Sequence, residues 1–402
     1  MPDIQPAAAD FQRARQQLEA TLDHPFLATE AHYLLWEVCQ ACGDRDGALT
    51  HLRAAMKRNP LRTRVGSATT MRSVLALATP GDFQANLPIA MLLDQSTMLH
   101  TLWLADPQEI ERDPRAAIPP DLPPIDCVFI TIAEDAQAAS ALRAADLLAQ
   151  ELGVPIINDG ARIERLSRTG AALLLEGIVD AVVPLQQEAS RAGLGLYPPA
   201  APFVIRPCGR HAGDGLALIR DVAALGDYLA RDAGPDAFFV APFIDYRSQD
   251  GLYRKLRVVF VAGVAYPLHM AIHDDWAVWY YNAHMEQQPW KGREEQRFLD
   301  DMASAVGDQA MAALHEIGRR VDLDYFGLDC AVMPDGRLLV FEVETGMIVH
   351  DDTSPRTAAR GESAAVRILR ALEQMIDARR LVPAPPCTLP AQRSMVEVLA
   401  AG

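Results

Sequence analysis

FGLDCAVMPDGRLLVFEVETGM, residues 326–347, is two apolar runs separated by Pro334, Asp335 and Gly336. Val, Leu and Phe on both sides of a Pro-Asp-Gly turn predict an antiparallel hairpin. With Pro334 to Arg337 as the turn, Met333 pairs with Leu338 and Asp329 falls directly opposite Glu342. Side chains alternate faces along a strand, so Glu344 shares the face of Glu342 and three carboxylates converge. Like charges opposite each other are unfavourable, so a cation belongs there. An all-oxygen donor set suits magnesium, with manganese as a second candidate. The competing reading is an acidic hairpin in solvent. Leu338, Leu339, Val340, Phe341 and Val343 argue instead for burial on both faces.

Upstream, FVIRPCGRHAGDGL, residues 203–216, puts Arg206 near the end of a strand, followed by Gly209, Gly213 and Gly215 in a loop carrying Arg210 and His211. Glycines let backbone N–H groups approach an anion closely. An ordinary strand connection is an equal alternative for this loop taken alone; its place before the carboxylate hairpin favours phosphate.

Between residues 66 and 160 short apolar runs alternate with helical patterns. MRSVLALAT, a helix over Asn86 to Leu93, a strand near His100 to Leu104, CVFITI, a helix over Ala136 to Leu152 and VPIIND follow in order. Such alternation predicts a small doubly wound α/β domain with a parallel sheet. Within it, EIERDPRAAIPPDLPPID, from Glu109 to Asp126, reads as an extended, proline-rich connection. Beyond residue 160 come a helix over Ile163 to Ile178, the strands FFVAPFID, KLRVVFVAGV, LDCAVM and RLLVFEVE, and a helix from Glu294 to Val321. Strands with hairpin punctuation and flanking helices predict an α+β arrangement.

Residues 8–60 carry helical periodicity, as in Leu34, Leu35, Val38 and Cys39, then Ala48, Leu49, Leu52 and Ala55. Ala48, Leu52, Ala55 and Pro60 stand at the offsets of the second helix of a tetratricopeptide repeat, which this stretch resembles. Trp36 replaces the small residue expected in the first helix, so about one and a half repeats are supported. A helical cap of this kind has two readings. One recruits a peptide or protein partner, or a second copy of the chain; the other simply packs on the neighbouring domain.

The expected organisation is therefore a helical region at 1–62, an α/β domain at 63–160, an α+β catalytic domain at 161–385 and a tail at 386–402. Net charge of -16, from 37 basic and 53 acidic residues, argues against nucleic acid or an anionic membrane as main partner. Neither a long apolar span nor a signal-like start is present in the sequence, which predicts a cytoplasmic protein. Six cysteines are too few for a disulfide framework, and Cys39 and Cys42, the only CxxC, are expected to be buried thiols.

The order of features from Val154 to Gly346 resembles the ATP-grasp superfamily, above all its RimK-like and glutathione-synthase-like branch. VPIIND before a helix, the basic strand before Pro-Cys-Gly-Arg-His-Ala-Gly-Asp-Gly, FFVAPFID, an Arg-bearing strand and GLDCAVMPDGRLLVFEVE carry the likeness, over about half the chain. The resemblance implies a preceding α/β domain and an ATP-grasp catalytic domain. It assigns Arg206, with Arg168 as a second contact, to the phosphates of ATP, where the family usually has Lys. It places the purine hinge over Phe239 to Ile244, so that Phe243 and Ile244 face adenine, with Asp245 on the ribose. Asp329 and Glu342 match metal ligands, and Glu344 stands where the pattern has Asn. Arg257 matches a strand Arg near the transferred phosphoryl group, whereas Arg254 and Lys255 read as rim charges.

The activity so implied is ATP-dependent and magnesium-dependent joining of a carboxylate to an amine through an acyl phosphate. Phosphoryl transfer needs positioning and charge stabilisation rather than a protein nucleophile, so the lack of a nucleophile signature is no objection. YPLHMAIHDDWAVWYYNAHMEQQPW, residues 266–290, is too polar for a core strand and reads as a substrate loop offering His269, His273, Trp276, Asn282 and His284, with His350 beyond the hairpin. An inert surface insertion is an equal alternative for that segment. A small-molecule kinase and a nucleotide-binding scaffold that recruits partners through the helical cap are the competing function classes.

Overall fold

The computed structural model describes residues 8–64, 66, 72–81, 84–210, 213–231, 234–280, 282–349 and 363–380. The chain divides into two compact units, one made of residues 1–132, 137–161 and 373–402, the other of 133–136 and 162–372. The first is helical and α/β, the second α+β.

The first unit begins with α1 (Ala8–Glu19), α2 (Ala28–Ala41) and α3 (Arg45–Arg58). Asp44 caps α3 by accepting from the Gly47 amide at 3.0 Å, and Lys57 and Arg58 meet the negative end of its dipole. Small Ala48 and Ala55 are buried on α3, and Tyr33, Leu52, Ala55 and Met56 form one core cluster with Ala78 and Trp103 of the sheet. Trp36 closes that cluster, its ring edge-on to Trp103 at 5.0 Å. Cys39 is buried as expected; Cys42, one step beyond α2, is exposed.

The sheet contains β1 (Leu61–Arg64), β2 (Arg72–Ala78), β3 (Thr97–Trp103), β4 (Cys127–Ile130) and β5 (Ile156–Ile157) in the order β1-β3-β2-β4-β5. Four strands are parallel, and β1 adds an antiparallel edge that the sequence reading did not foresee. Two further expectations fail for local reasons. Asn86 to Leu93 is not an α-helix: the Asn86 side chain is committed to the Thr79 backbone, and only Ile89–Met91 makes a 3-10 turn after Pro88. The connection after β3 begins with a helix, α4 (Pro107–Arg112), because Asp106 caps it and Pro107 suits its first turn. The helix α5 (Ala139–Leu152) ends at Gly153 with φ +67°. A short α6 (Gly160–Glu164) follows β5.

The second unit holds two sheets. Ser167 caps α7 (Arg168–Leu174), which breaks the helix expected over Ile163 to Ile178 in two. β6 (Ala181–Val182), β7 (Gln187–Ser190), α8 (Arg191–Leu196), β8 (Phe203–Pro207), β9 (Ala217–Ile219), α9 (Val222–Arg231) and β10 (Ala237–Pro242) follow. Strands β7-β10-β8-β9 form an antiparallel sheet over Leu194, Phe203, Ile205, Leu225 and Phe238. Next come β11 (Tyr253–Val261), β12 (Val264–His273), α10 (Pro289–Asp300), α11 (Met302–Val306), α12 (Asp308–Val321), β13 (Tyr325–Val332) and β14 (Leu338–Glu344). The larger sheet runs β12-β11-β13-β14-β6, antiparallel except for β14 with β6. On α12 the residues Ala310, Ala313, Leu314, Ile317 and Val321 are buried, and Phe260 stacks on Phe326 at 4.4 Å. A last helix, α13 (Ala364–Arg380), begins in the second unit and ends in the first.

The single helix expected from Glu294 to Val321 is three, because Asp301 caps α11 and Gly307, at φ +83°, separates α11 from α12. Residues 266 to 273, read as too polar for a core strand and expected in a substrate loop, belong to β12. It is an edge strand in which Pro267 sits beside a bulge, the place where a sheet tolerates proline.

Candidate functional site

The hairpin β13–β14 is present, with Asp329 opposite Glu342, but it reaches that pairing by a different route. The tight turn is Met333–Gly336: the Gly336 amide donates to the Met333 carbonyl at 2.9 Å, and the Met333 amide to Arg337 at 2.8 Å. Gly336 takes φ +88°, which glycine adopts without strain. Val332 therefore pairs with Leu338, one residue out of the expected register, and the register shifts between Asp329 and Cys330. Phe341 is the extra residue of that bulge, and it returns Glu342 to Asp329. The Phe341 carbonyl accepts from the Gln186 side chain at 3.0 Å.

Asp329 is 3% exposed. Burial would raise its pKa, but Lys255 and Arg257 outweigh it and hold the carboxyl below the usual carboxylate range. Arg257 on β11 lies opposite Asp329 in register and grips it with Nε at 2.8 Å and Nη2 at 3.0 Å. Lys255 Nζ stands 2.7 Å from Oδ2, the oxygen that Arg257 Nη2 also reaches. Lys255 is thus not a rim charge; the alternation of β11 puts it on the face of Arg257, a signal the sequence did contain. Arg254 is bound to Asp250 and Glu294, away from Asp329.

Glu342 is paired with Arg168, at the start of α7, whose guanidinium also lies 5.8 Å over the Phe239 ring. Phe239 is opposite Arg206 in the β10–β8 register. Arg206 donates through Nη2 to the Arg210 carbonyl, and its buried Nε has no hydrogen-bond partner. Burial, and then Arg168, press the Arg206 pKa down. A cavity beside these groups is bordered by Arg168, Leu175, Pro184, Gln186, Phe341 and Glu342.

Glu344 is only weakly answered, by Arg257 Nη2 at 4.0 Å. Burial, followed by repulsion from Glu342, pushes its carboxyl up to about 8. Glu134, which the sequence reading did not single out, accepts from the Thr345 amide at 2.9 Å and from the Thr345 hydroxyl. Burial outweighs those bonds and raises it to about 7. Among the described residues no three His, Cys, Asp or Glu side chains already form a metal cage. The donor set nonetheless fits a hard cation, because Glu342 repels both Glu344 and Glu134, and Glu344 has only the distant Arg257 to answer its charge.

The remaining candidates fall into separate places. His269 lies opposite Arg257, 5.2 Å from the Tyr280 ring, with a buried Nδ1 that has no partner. Burial, then Arg257, holds its pKa down at about 3, so the ring is neutral. In the hinge, the Phe243 amide already donates to Pro202 at 3.1 Å, and Asp245 accepts from the Arg247 amide and guanidinium at 3.1 and 3.2 Å. Ile244 follows directly after Phe243, beyond the end of β10. Trp276 stands edge-on to Phe243 at 5.7 Å. His273 accepts from the Asp275 amide at 2.8 Å, Asn282 bonds the backbone of Trp279 and Ala277 at 2.8 Å each, and His284 takes φ +48°; all three shape their own loop. Gly209, Gly213 and Gly215 adopt φ +71°, +75° and +72°. His211 and His350 lie outside the described residues.

The fold and site define an α+β unit in which cations on one strand of a sheet lie beside carboxylates on the next two. No known protein family's sequence profile matches the chain, and no curated protein matches it. Among solved structures, the chain is similar to D-alanine–D-alanine ligase from Bacillus anthracis, at 15% identity and TM-score 0.44, over 77% of this chain and 98% of that one. It is also similar to the VanG D-Ala:D-Ser ligase from Enterococcus faecalis, at 12% identity and TM-score 0.45, over 76% and 99%. A RimK domain ATP-grasp protein from Sphaerobacter thermophilus aligns at 18% identity and TM-score 0.41, over 75% and 99%.

Proposed function

We propose that the chain is an ATP-grasp enzyme that uses ATP and magnesium to activate a carboxylate and join it to an amine. The observation that carries the reading is the pairing of Asp329 with Glu342, with Glu344 on the same strand, Lys255 and Arg257 bound to Asp329, and Arg168 bound to Glu342. Carboxylates for a metal, with cations for phosphates nearby, are what phosphoryl transfer requires.

In this reading Arg206, Arg168 and the loop of Gly209, Arg210, His211, Gly213 and Gly215 receive the phosphates. Phe243, Ile244 and Asp245 line the nucleoside end. Because the Phe243 amide is already bonded to Pro202, adenine recognition falls to neighbouring backbone groups. Glu342 and Glu344 are the metal ligands of first choice, with Asp329 as the third although Lys255 and Arg257 already answer its charge. Magnesium, or manganese, would supply charge neutralisation on the phosphates.

The terminal phosphoryl group passes to a substrate carboxylate oxygen, the new O–P bond forming as the bond to ADP breaks. An amine then attacks the acyl carbon, phosphate leaves with the bonding pair, and the amine gives up a proton. Arg257 uses Nε and Nη2 on Asp329 and makes no hydrogen bond through Nη1 to a described residue, which leaves that donor for the transferred group. His269, His273, Trp276, Asn282, His284 and His350 remain the candidates for substrate contact. The acid and amine are small molecules or a peptide in this proposal, and the tetratricopeptide-like reading of the helical region, with a protein partner or a second copy, is kept alongside it.

ADP release across mixtures of acids and amines tests the reaction class. A ligase releases ADP only when both substrates are present. Turnover with the acid or another acceptor alone makes the protein a kinase, and ATP binding without stimulated turnover makes it a scaffold.

A further inference from the structure

A methyl group cannot be added to Gly213: an ideal Cβ there would stand 2.2 Å from Cζ2, 2.5 Å from Cε2 and 2.6 Å from Nε1 of Trp279. The indole therefore lies directly on the backbone of the glycine loop. We propose that Trp279 is a positioning residue that clamps this loop, so that the segment after β12 controls how firmly the loop holds phosphate. The proposal rests on the reading of residues 208–216 as the phosphate loop and adds the residue that governs it.

The loop is gripped at several points. Gly215 is packed on Pro207, where a Cβ would meet Cδ at 2.7 Å, and its carbonyl accepts from the Tyr228 hydroxyl at 2.7 Å. Arg206 holds the Arg210 carbonyl from beneath. Trp279 lies against it at Gly213.

Trp279 is itself fixed. Its amide donates to Asn282 Oδ1 at 2.8 Å, its carbonyl accepts from the Ala283 amide at 3.0 Å, and Asn282 bonds Ala277 at 2.8 Å. Lys291, 6% exposed, donates to the Ala283 carbonyl at 2.6 Å. The Tyr246 hydroxyl donates to the Trp276 carbonyl at 2.6 Å, tying the same segment to the connection between β10 and β11. A rigid indole is thus held against a glycine that no side chain can replace. The segment offering His269 to His284 to a substrate also carries the clamp, so substrate contact and phosphate-loop order are mechanically joined.

Hydrogen exchange of the full chain without ligand reads the clamp directly. In Trp279→Ala the amides of Gly213 to Leu216 are expected to exchange roughly tenfold faster, as expected on losing one aromatic contact, while β11 and β13 are unchanged. Trp279→Phe should remain close to wild type, and Gly213→Ala should loosen the same amides from the other side. Affinity for ATP with magnesium should fall by roughly the same factor in Trp279→Ala and Gly213→Ala. Wild-type exchange at Gly213 to Leu216 in either variant overturns the proposal. If Trp279→Ala also loosens β11 and β13, Trp279→Phe, which keeps a ring against Gly213, decides by the same readout: exchange at Gly213 to Leu216 as fast as in Trp279→Ala overturns the proposal. If the wild-type chain binds no ATP, the functional reading fails while the exchange data still decide the clamp.

Discussion

Asp329 is almost wholly removed from water, and two cations make that burial tolerable. Arg257→Ala removes the two-pronged partner and leaves Lys255 alone, which should cost about 3 kcal/mol of stability in denaturant unfolding. Arg257→Lys keeps the charge but loses the fork, so it should recover part of the stability and little of the turnover. His269 supplies a pH signature. Its folded pKa, about 3, lies below the ordinary histidine value of 6.5. The unfolded chain then binds a proton that the folded chain refuses, so the stability from the neutral ring is complete above pH 6.5 and is lost as pH falls towards 3. Unfolding free energies of wild type and His269→Gln should therefore converge on acidification, with the wild type losing more; parallel pH curves would rule this out.

At the scale of elements, the hairpin shows what the sequence could and could not say. Alternation and the Pro-Asp-Gly turn made the two strands legible, as did the opposition of Asp329 and Glu342. The route was not legible. The turn begins one residue earlier than expected and the register is one residue out until Phe341 bulges, and a bulge leaves no compositional mark when its extra residue is itself apolar. Gln186 bonds the bulge carbonyl from a segment some 155 positions away, which no local pattern reveals. Gln186→Ala should cost about 1 kcal/mol and loosen the Glu342 region in hydrogen exchange, while amides of β11 keep their protection. Helix breaks were missed for a similar reason: Ser167, Asp301 and Asp106 act as caps, and each sits inside or beside a stretch whose apolar period alone reads as continuous or as coil. Lys255 was misplaced because its neighbour Arg254 is truly peripheral, and only the alternation along β11 separates them. Glu134 could not have been found, because it reaches Thr345 from 211 residues away.

Over the whole molecule, composition and element order gave the two architectural classes, α/β followed by α+β. Among the described residues no helix is long and apolar enough to cross a membrane. Leu52, fully buried in the cluster with Tyr33 and Trp103, tests the first unit: Leu52→Ala should destabilise it by about 3 kcal/mol and leave ATP binding by the second unit unchanged. If the second unit takes ATP with magnesium, ligand at a hundredfold excess over its dissociation constant should add about 2.7 kcal/mol to stability. The central claim is that the carboxylates of the hairpin bring magnesium and ATP to one place. Calorimetric titration of ATP with and without magnesium, into wild type and Glu342→Ala, is its most direct test. Binding that depends on magnesium in the wild type and is lost in Glu342→Ala is the predicted result; equal binding in the two proteins, or binding indifferent to magnesium, would contradict it.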